Sequence, residues 1–516
     1  MTSDVSGPDD AGPPAAPLIS LRRSFQLRIS GILLLGIGMW VVLGTFGLLG
    51  PVTQAVPRSG WAYVAFVLVM LPTTLSYLEL RGWIGASGGS YRLVRAMERS
   101  NLTFFTGWVY IAGWAGISAL LAQAFATYAS RLILVGFRLN SGPAFETWLY
   151  IGFIGLLLAL SLVTNIAAVR SPWRTGIWLM ALGILVVLAL ALLVASRTAG
   201  PALTVSPVRG GVHPFKGVVL LVAAQWVIEL IAEAGDRRQQ TVHTALVLLV
   251  SGPLLSAALV AVSRPLIPDT LAHLAEAGLP AILFLPSLAE LALPGLGEIL
   301  LLAFGTLLMA VVWQTLSLIM LRRFQVIGLD GWIPSGLLRS RTRFQTPTLL
   351  IGVQVLLTPA ALLAAEGLAR LPFGIRDTTF SLASLAAMAF LLLQIGVNVT
   401  AIVLSRHPRA ADRPLKLPLY PIIPAVGAAI SFLFLLAIPW TILILGGLWV
   451  GLGALVFWRY ALERMRGTQL GVTVFQDTSR RADLTSSYPV VIPVANPDTT
   501  LNLVSFGAAI ARYYGG

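Results

Sequence analysis

Twelve runs of roughly 20 apolar residues recur along the chain, and they leave a soluble fold out of reach. A helix that crosses a bilayer needs about 20 apolar residues. In lipid its backbone polar groups must be bonded internally, so helices are the natural spanning element. The runs fall at 29–50, 60–80, 103–135, 147–168, 173–196, 215–233, 243–263, 297–321, 346–365, 378–404, 422–439 and 441–461. Composition agrees: 57% of residues are hydrophobic and 11% charged, where a soluble domain has about 25% charged. The expected fold class is an all-α integral membrane protein with about 12 transmembrane helices.

An even number of spans places both termini on one side, and the charges choose the side. With the N-terminus inside, most of the 35 Lys and Arg fall in cytosolic loops. These include Arg92, Arg95 and Arg99; Arg170 and Arg174; Arg237 and Arg238; Arg322, Arg323, Arg339, Arg341 and Arg343; and Arg406, Arg409, Arg413 and Lys416. The loop between spans 7 and 8 instead carries Asp269, Glu276 and Glu290, with Glu298 at its end. This positive-inside pattern accounts for the net charge of +14 without nucleic acid as a partner. The expected location is the bacterial cytoplasmic membrane, multi-pass, with both termini cytosolic.

Residues 1–28 read as a disordered cytosolic leader; Pro, Gly and Asp dominate the start, with no apolar core for a signal peptide. The long connection 264–296 holds Asp269-Thr-Leu-Ala-His-Leu-Ala-Glu, an amphipathic helix with Asp269 as its expected N-cap. It reads either as a surface helix or as a lid over an outward vestibule. The tail, 462–516, turns polar. Its β-branched run Val490–Val494, an Asn-Pro-Asp turn and an amphipathic pattern make one α/β-like unit.

Several function classes drop out. There is no cysteine, so no thiolate metal site or cysteine nucleophile. The four histidines, His213, His243, His273 and His407, lie at segment ends or in loops. No aspartate sits deep in a span, and there is no paired-carboxylate or Ser/His/Asp constellation and no ATP-binding motif. An enzyme or a primary pump is therefore not expected, nor any cofactor. Of the ionisable groups within spans, Glu79 ends span 2. Glu229 and Glu233 share a face of span 6 at i, i+4. A lone charge in lipid is costly, so Glu229 reads either as a proton or cation site or as a carboxylate paired with Arg237 or Arg238.

Span 1 contains "GIGMWVVLG", Gly36 to Gly44. Glycine costs about 1 kcal/mol against alanine inside a helix. The glycines serve either close helix packing or a deliberate break.

Gly36-Ile37-Gly38-Met39-Trp40 resembles the Gly-Ser-Gly-Ile-Phe type motif in span 1 of amino acid–polyamine–organocation permeases. Ser76-Tyr77-Leu78-Glu79-Leu80 followed by Ser87-Gly88-Gly89-Ser90-Tyr91 resembles that family's motif after span 2. Gly107-Trp108 opens span 3, "RRFQVIGLDGWIP" (Arg322 to Pro334) follows span 8, and "RPLKLPLYPIIP" (Arg413 to Pro424) precedes span 11. These five motifs, in order over about residues 25–460, identify the chain as a member of that family.

The resemblance implies a 5+5 inverted repeat with broken helices 1 and 6, and cargo bound at the two breaks midway across the membrane. It places a substrate carboxylate on backbone N–H groups around Ile37, Gly38 and Met39, aided by the helix dipole. The substrate ammonium would meet carbonyls near Leu34 and Leu35. In span 6 the chain has Val222-Ala223-Ala224-Gln225-Trp226 where the family has Phe-x-Gly, and Ile37 replaces a small polar residue. Trp226, Trp313 and Ser118 are further pocket candidates. Glu229 and Thr306, with Thr315 and Ser317, are candidates for coupling to a proton or sodium.

The expected function is a secondary active amino acid permease, with an amino acid or related amine as cargo and the bilayer as partner. On the same fold a carrier of potassium or polyamine is the alternative. From another class, a membrane sensor would signal through the tail, whose Tyr488-Pro-Val-Val-Ile-Pro-Val-Ala resembles the first strand of a universal stress protein. Deleting 467–516 separates that reading from transport. The sequence leaves the oligomeric state open.

Overall fold

A computed structural model describes residues 29–461 apart from 57–58, 85–88, 140–141, 168–172, 199–213, 234–237, 339–346, 372–374, 376 and 406–419. The proposed leader and the α/β-like tail lie outside these residues. The described residues contain no strand.

Each of the twelve apolar runs is helical over most of its described residues. Span 1 comprises α1 (Ile29–Trp40), a π-helix (Val41–Gly47) and α2 (Leu49–Ala55). Then follow α3 (Ser59–Ile84), the short α4 (Gly89–Arg95), α5 (Ser100–Gly136), α6 (Pro143–Ile166) and α7 (Trp173–Thr198). Span 6 comprises α8 (Pro214–Ala224) and a 3-10 helix (Gln225–Glu233), followed by α9 (Arg238–Ser263). The connection to span 8 folds into α10 (Ile267–Glu276) and α11 (Phe284–Ala292). The remainder is α12 (Gly297–Leu329), α13 (Ser335–Leu338), α14 (Thr348–Ala369), α15 (Thr378–Leu404), α16 (Ile422–Leu436) and α17 (Trp440–Val456).

Among the described residues, nine helices are long and apolar enough to cross a membrane alone, and the bent span 1 makes a tenth. The other two predicted spans are span 6, divided at Ala224, and α16, an apolar helix of 15 residues. Pro439 separates α16 from α17, as a residue without an N–H does between helices. Compactness divides the chain at Ala454; of the second unit only the end of α17 and the π-helix Phe457–Ala461 are described.

The two repeats are visible in matching parts. Each opens with an interrupted helix. Each continues with a helix holding an internal proline, Pro72 in α3 and Pro253 in α9. Short helices follow, α4 in one repeat and α10 and α11 in the other. The third long helix is then α5 with 37 residues or α12 with 33. Helices α3 and α9 pack together, as do α5 and α12.

Helix α5 is the most enclosed, while α6 and α7 expose Leu156, Leu160, Trp178 and Leu192 as a lipid-facing surface requires. One tie holds α17 to α5. The Trp108 and Trp449 indoles stack at 4.8 Å, and each donates its N–H to the other's backbone carbonyl, at 2.8 and 3.1 Å.

Helix α10 starts at Ile267, with Leu266 at the capping position and Asp269 inside the first turn, so Asp269 is not the cap. Pro268 explains the shift, since its fixed φ suits the first turn. Helix α11 is the inserted part: Phe284, Leu285, Pro286, Ser287 and Leu288 are all buried. A Cβ on Gly50 of α2 would lie 1.8 Å from the Ala281 carbonyl oxygen, so the segment leading into α11 rests directly on span 1. The Tyr128 hydroxyl of α5 donates to the Phe46 and Ile282 carbonyls at 2.9 and 3.3 Å, joining span 1 to that segment. Within 264–296, α11 is thus packed into the bundle, while α10 buries only Thr270 and Leu274.

Candidate functional site

The break in span 1 is not where the Gly36–Gly38 motif placed it. Helix α1 runs without interruption through Leu35, Gly36, Ile37, Gly38 and Met39 to Trp40, so the amides at 37–39 are spent within the helix. The two glycines serve packing instead. A Cβ on Gly36 would sit 2.4 Å from Leu248 Cδ2 of α9, and one on Gly38 would sit 2.3 Å from Met180 Cβ of α7. The residues expected to hold a carboxylate, Gly36 to Met39, thus lie on an unbroken helix in this structure. Gly38→Leu is expected to lower thermal stability and yield together with any ligand binding, by overpacking worth about 1–3 kcal/mol. A melting temperature equal to the parent's would contradict this packing role.

The irregular segment lies one turn further on. Val41–Gly47 is wound as a π-helix, Leu48 has φ −115° and ψ −8°, and the helix axis turns by 52° before α2. A π-segment widens the helix and displaces carbonyls from their usual partners, and such segments gather at functional sites. Here the Gly44 carbonyl accepts from the Tyr63 hydroxyl at 3.1 Å, and Thr45 Oγ1 bonds Ser256 Oγ at 2.7 Å. The sequence signal was Gly44, Gly47 and Gly50 at intervals of three, closed by Pro51.

Span 6 changes winding within the expected stretch. Helix α8 ends at Ala224 and the 3-10 helix begins at Gln225. Ala223, Ala224 and Gln225 are buried. Trp226 is wholly buried; its N–H donates to the Ala386 carbonyl at 3.0 Å, and its ring lies 5.6 Å from those of Tyr110 and Phe390. The ring fills the notch left by Gly113, where a Cβ would be 2.1 Å from Trp226 Cζ2. Trp226 thus joins span 6 to α5 and α15.

Ser118 and Trp313 come together, but their polar atoms join helices. The Trp313 N–H donates to the Ser118 carbonyl at 3.1 Å, and Thr358 Oγ1 donates to Ser118 Oγ at 2.9 Å. Gln354 of α14 donates to the Ser317 carbonyl and hydroxyl, and Asn165 of α6 donates to Ser317 Oγ at 2.9 Å. These bonds bind α5, α6, α12 and α14 into one block. Thr306 Oγ1 donates to the Leu302 carbonyl at 2.7 Å, within its own helix, as hydroxyls in helices commonly do. Thr315 is buried on the same helix.

Glu229 is fully buried on the 3-10 helix, and α4 receives its carboxylate. Ser90 Oγ donates to Oε1 at 2.5 Å, and the Ser90 N–H lies 3.4 and 3.3 Å from the two carboxylate oxygens. Gly89 makes room: its φ is +61°, and a Cβ there would be 1.8 Å from Glu229 Oε2 and 2.8 Å from the Tyr110 hydroxyl. Arg323 of α12 donates to the Glu229 backbone carbonyl at 3.3 Å. The expected partner Arg237, and the side chains of Arg238 and Glu233, lie outside the described residues.

The far side of α4 is held as well. The Tyr91 hydroxyl donates to Asp330 Oδ2 at 2.6 Å, and Arg95 pairs with Asp330 Oδ1 at 2.9 Å. Burial lifts the Asp330 carboxyl above its usual range, against the opposing pull of the Tyr91 hydrogen bond and the Arg95 and Arg92 charges. Two of the sequence motifs, the Ser-Gly-Gly-Ser-Tyr turn and the segment after span 8, therefore meet at one end of the bundle.

Each of the two five-helix repeats thus opens with an interrupted helix, with α11 packed over span 1 and the short helix α4 tied between Glu229 and Asp330. The chain matches the amino acid permease family over residues 27–453 and belongs to that family. It is a transporter, not an enzyme. Among solved structures it is similar to a manganese transporter of Eremococcus coleocola. A histidine-to-alanine mutant of that protein matches at TM-score 0.52 and 14% identity, covering 88% of this chain and 96% of that one. A glutamate-to-glutamine mutant matches at TM-score 0.51 with the same identity and coverage. The complex with an aromatic bis-isothiourea substituted compound matches at 0.50 and 13%, covering 85% and 94%. At these identities the likeness concerns the fold. No curated protein matches the chain.

Proposed function

We propose that the chain takes up or exchanges an amino acid or a related amine by alternating access, driven by a gradient. The observation that carries this is the pairing of interruptions, Val41–Leu48 in span 1 and Ala224–Gln225 in span 6, within a family of amino acid permeases. Interrupted spans free backbone dipoles near the middle of the membrane, where an amino acid's two charged groups need partners. The carboxylate and ammonium are assigned to backbone groups of Val41–Leu48 and the start of the 3-10 helix, with Gln225 beside them.

The arginine-rich loops favour an orientation with the α4 end and both termini in the cytosol. Glu229 is assigned to holding that end shut rather than to carrying an ion, because Ser90 already occupies its carboxylate. The coupling ion to test is sodium or a proton, with Thr306 and Thr315 as the residues to vary; Glu229→Gln should change closure rather than the ion dependence of transport.

Manganese is not the favoured cargo. Among the described residues no group of three or more His, Cys, Asp or Glu could hold a metal ion. In liposomes, the purified full chain is expected to move at least one member of a labelled amino acid panel. Failure of the whole panel while manganese, potassium or a polyamine moves would overturn the reading.

A further inference from the structure

We propose that the cargo carries no net charge: it is a zwitterionic amino acid with an uncharged side chain. The proposal rests on the permease reading and narrows its substrate class. It starts from how charge is distributed over the spans that meet at the interruptions.

Span 1, from α1 to α2, contains no charged residue, and neither does α15. Helix α5 contains only Arg131. Helix α12 has Glu298 at its start and Arg322 and Arg323 beyond its middle. In span 6 the stretch between Lys216 and Glu229 is uncharged, and Glu233 closes the 3-10 helix. Helix α3, which packs on α8, is uncharged from Ser59 until the buried Glu79 and Arg81 in its last two turns. Away from those ends, the described residues of these helices offer backbone dipoles, amides, hydroxyls and aromatic rings.

The charged groups on α3, α5 and α12, and Glu229, already have partners. Arg131 pairs with Glu298 at 2.7 Å. The Glu229 carboxylate accepts from Ser90, and Arg323 donates to the Glu229 carbonyl. Each of these described groups is thus engaged within the bundle, the Glu229 carboxylate by the hydroxyl and N–H of Ser90. A zwitterion needs no charged partner, because its two opposite charges are met by opposed backbone dipoles within one interrupted helix. A third charge on the cargo would enter a low-dielectric site without a partner. The expected discrimination is on the order of 100-fold in affinity.

The test uses pairs matched in shape and differing in charge: glutamine against glutamate, and norleucine against lysine. Each is titrated into the purified full chain in a thermal-shift assay and as a competitor of labelled glutamine or norleucine uptake in liposomes. The neutral member of at least one pair should act at about 100-fold lower concentration than its charged partner. Lysine or glutamate acting as well as, or better than, its neutral partner would overturn the proposal and leave the permease reading standing. If no amino acid of either kind acts while manganese or spermidine does, both fall.

Discussion

Uptake by Gly50→Leu should fall below about a tenth of the parent's, with folded protein still recovered. Its Cβ would lie 1.8 Å from the Ala281 carbonyl oxygen and 2.7 Å from Phe284 Cβ. The first of these is backbone, so no rotamer change relieves it. Overpacking costs about 1–3 kcal/mol, and 1.4 kcal/mol shifts a population tenfold, so α11 should spend most of its time unseated. The chain has no cysteine, which makes the consequence measurable. Ser287, buried on α11, replaced by cysteine, should react slowly with a soluble maleimide in the parent and rapidly beside Gly50→Leu. Unchanged uptake and unchanged labelling would show that the contact between Gly50 and Ala281 does not govern closure.

Gly89→Ala should be nearly as damaging at the opposite end. Two costs add. A side chain in the left-handed region costs about 1–2 kcal/mol, and Gly89 has φ +61°. The new methyl also occupies the place of Glu229 Oε2, which leaves a buried carboxylate and the Ser90 donors poorly met, for about 1–3 kcal/mol or more. The expected result is a melting temperature lowered by several degrees and strongly reduced transport. A double-mutant cycle with Glu229→Ala separates the terms. With the carboxylate gone, only the backbone cost of Gly89→Ala should remain. Additivity of the two substitutions would disconnect Gly89 from Glu229.

The twelve spans were legible because lipid imposes one long apolar run per crossing. The motif after span 2 was legible as a turn, though its role as a receptor for Glu229 was not. Ser90 and Glu229 are 139 residues apart, and no local pattern links them. The position of the break in span 1 was misread for a related reason. Glycine signals both a broken helix and a crowded one, and the difference lies in distant partners: Leu248 for Gly36 and Met180 for Gly38. The break shows instead in the three-residue spacing of Gly44, Gly47 and Gly50 with Pro51 behind it. In span 6 the change of winding needs no glycine, and Ala223-Ala224-Gln225 marks it only faintly. Trp226 looked like a pocket wall, and the notch at Gly113 that receives it comes from another helix.

The stacked indoles of Trp108 and Trp449 lend the protein an optical property. Held 4.8 Å apart and 21° from parallel, their transition dipoles interact, and the coupling decays steeply as the rings part. Near-ultraviolet circular dichroism therefore contains an internal ruler for the seam between α5 and α17. Substituting one ring of the pair isolates its share of the spectrum, and the seam can be followed through a transport cycle without attaching a dye.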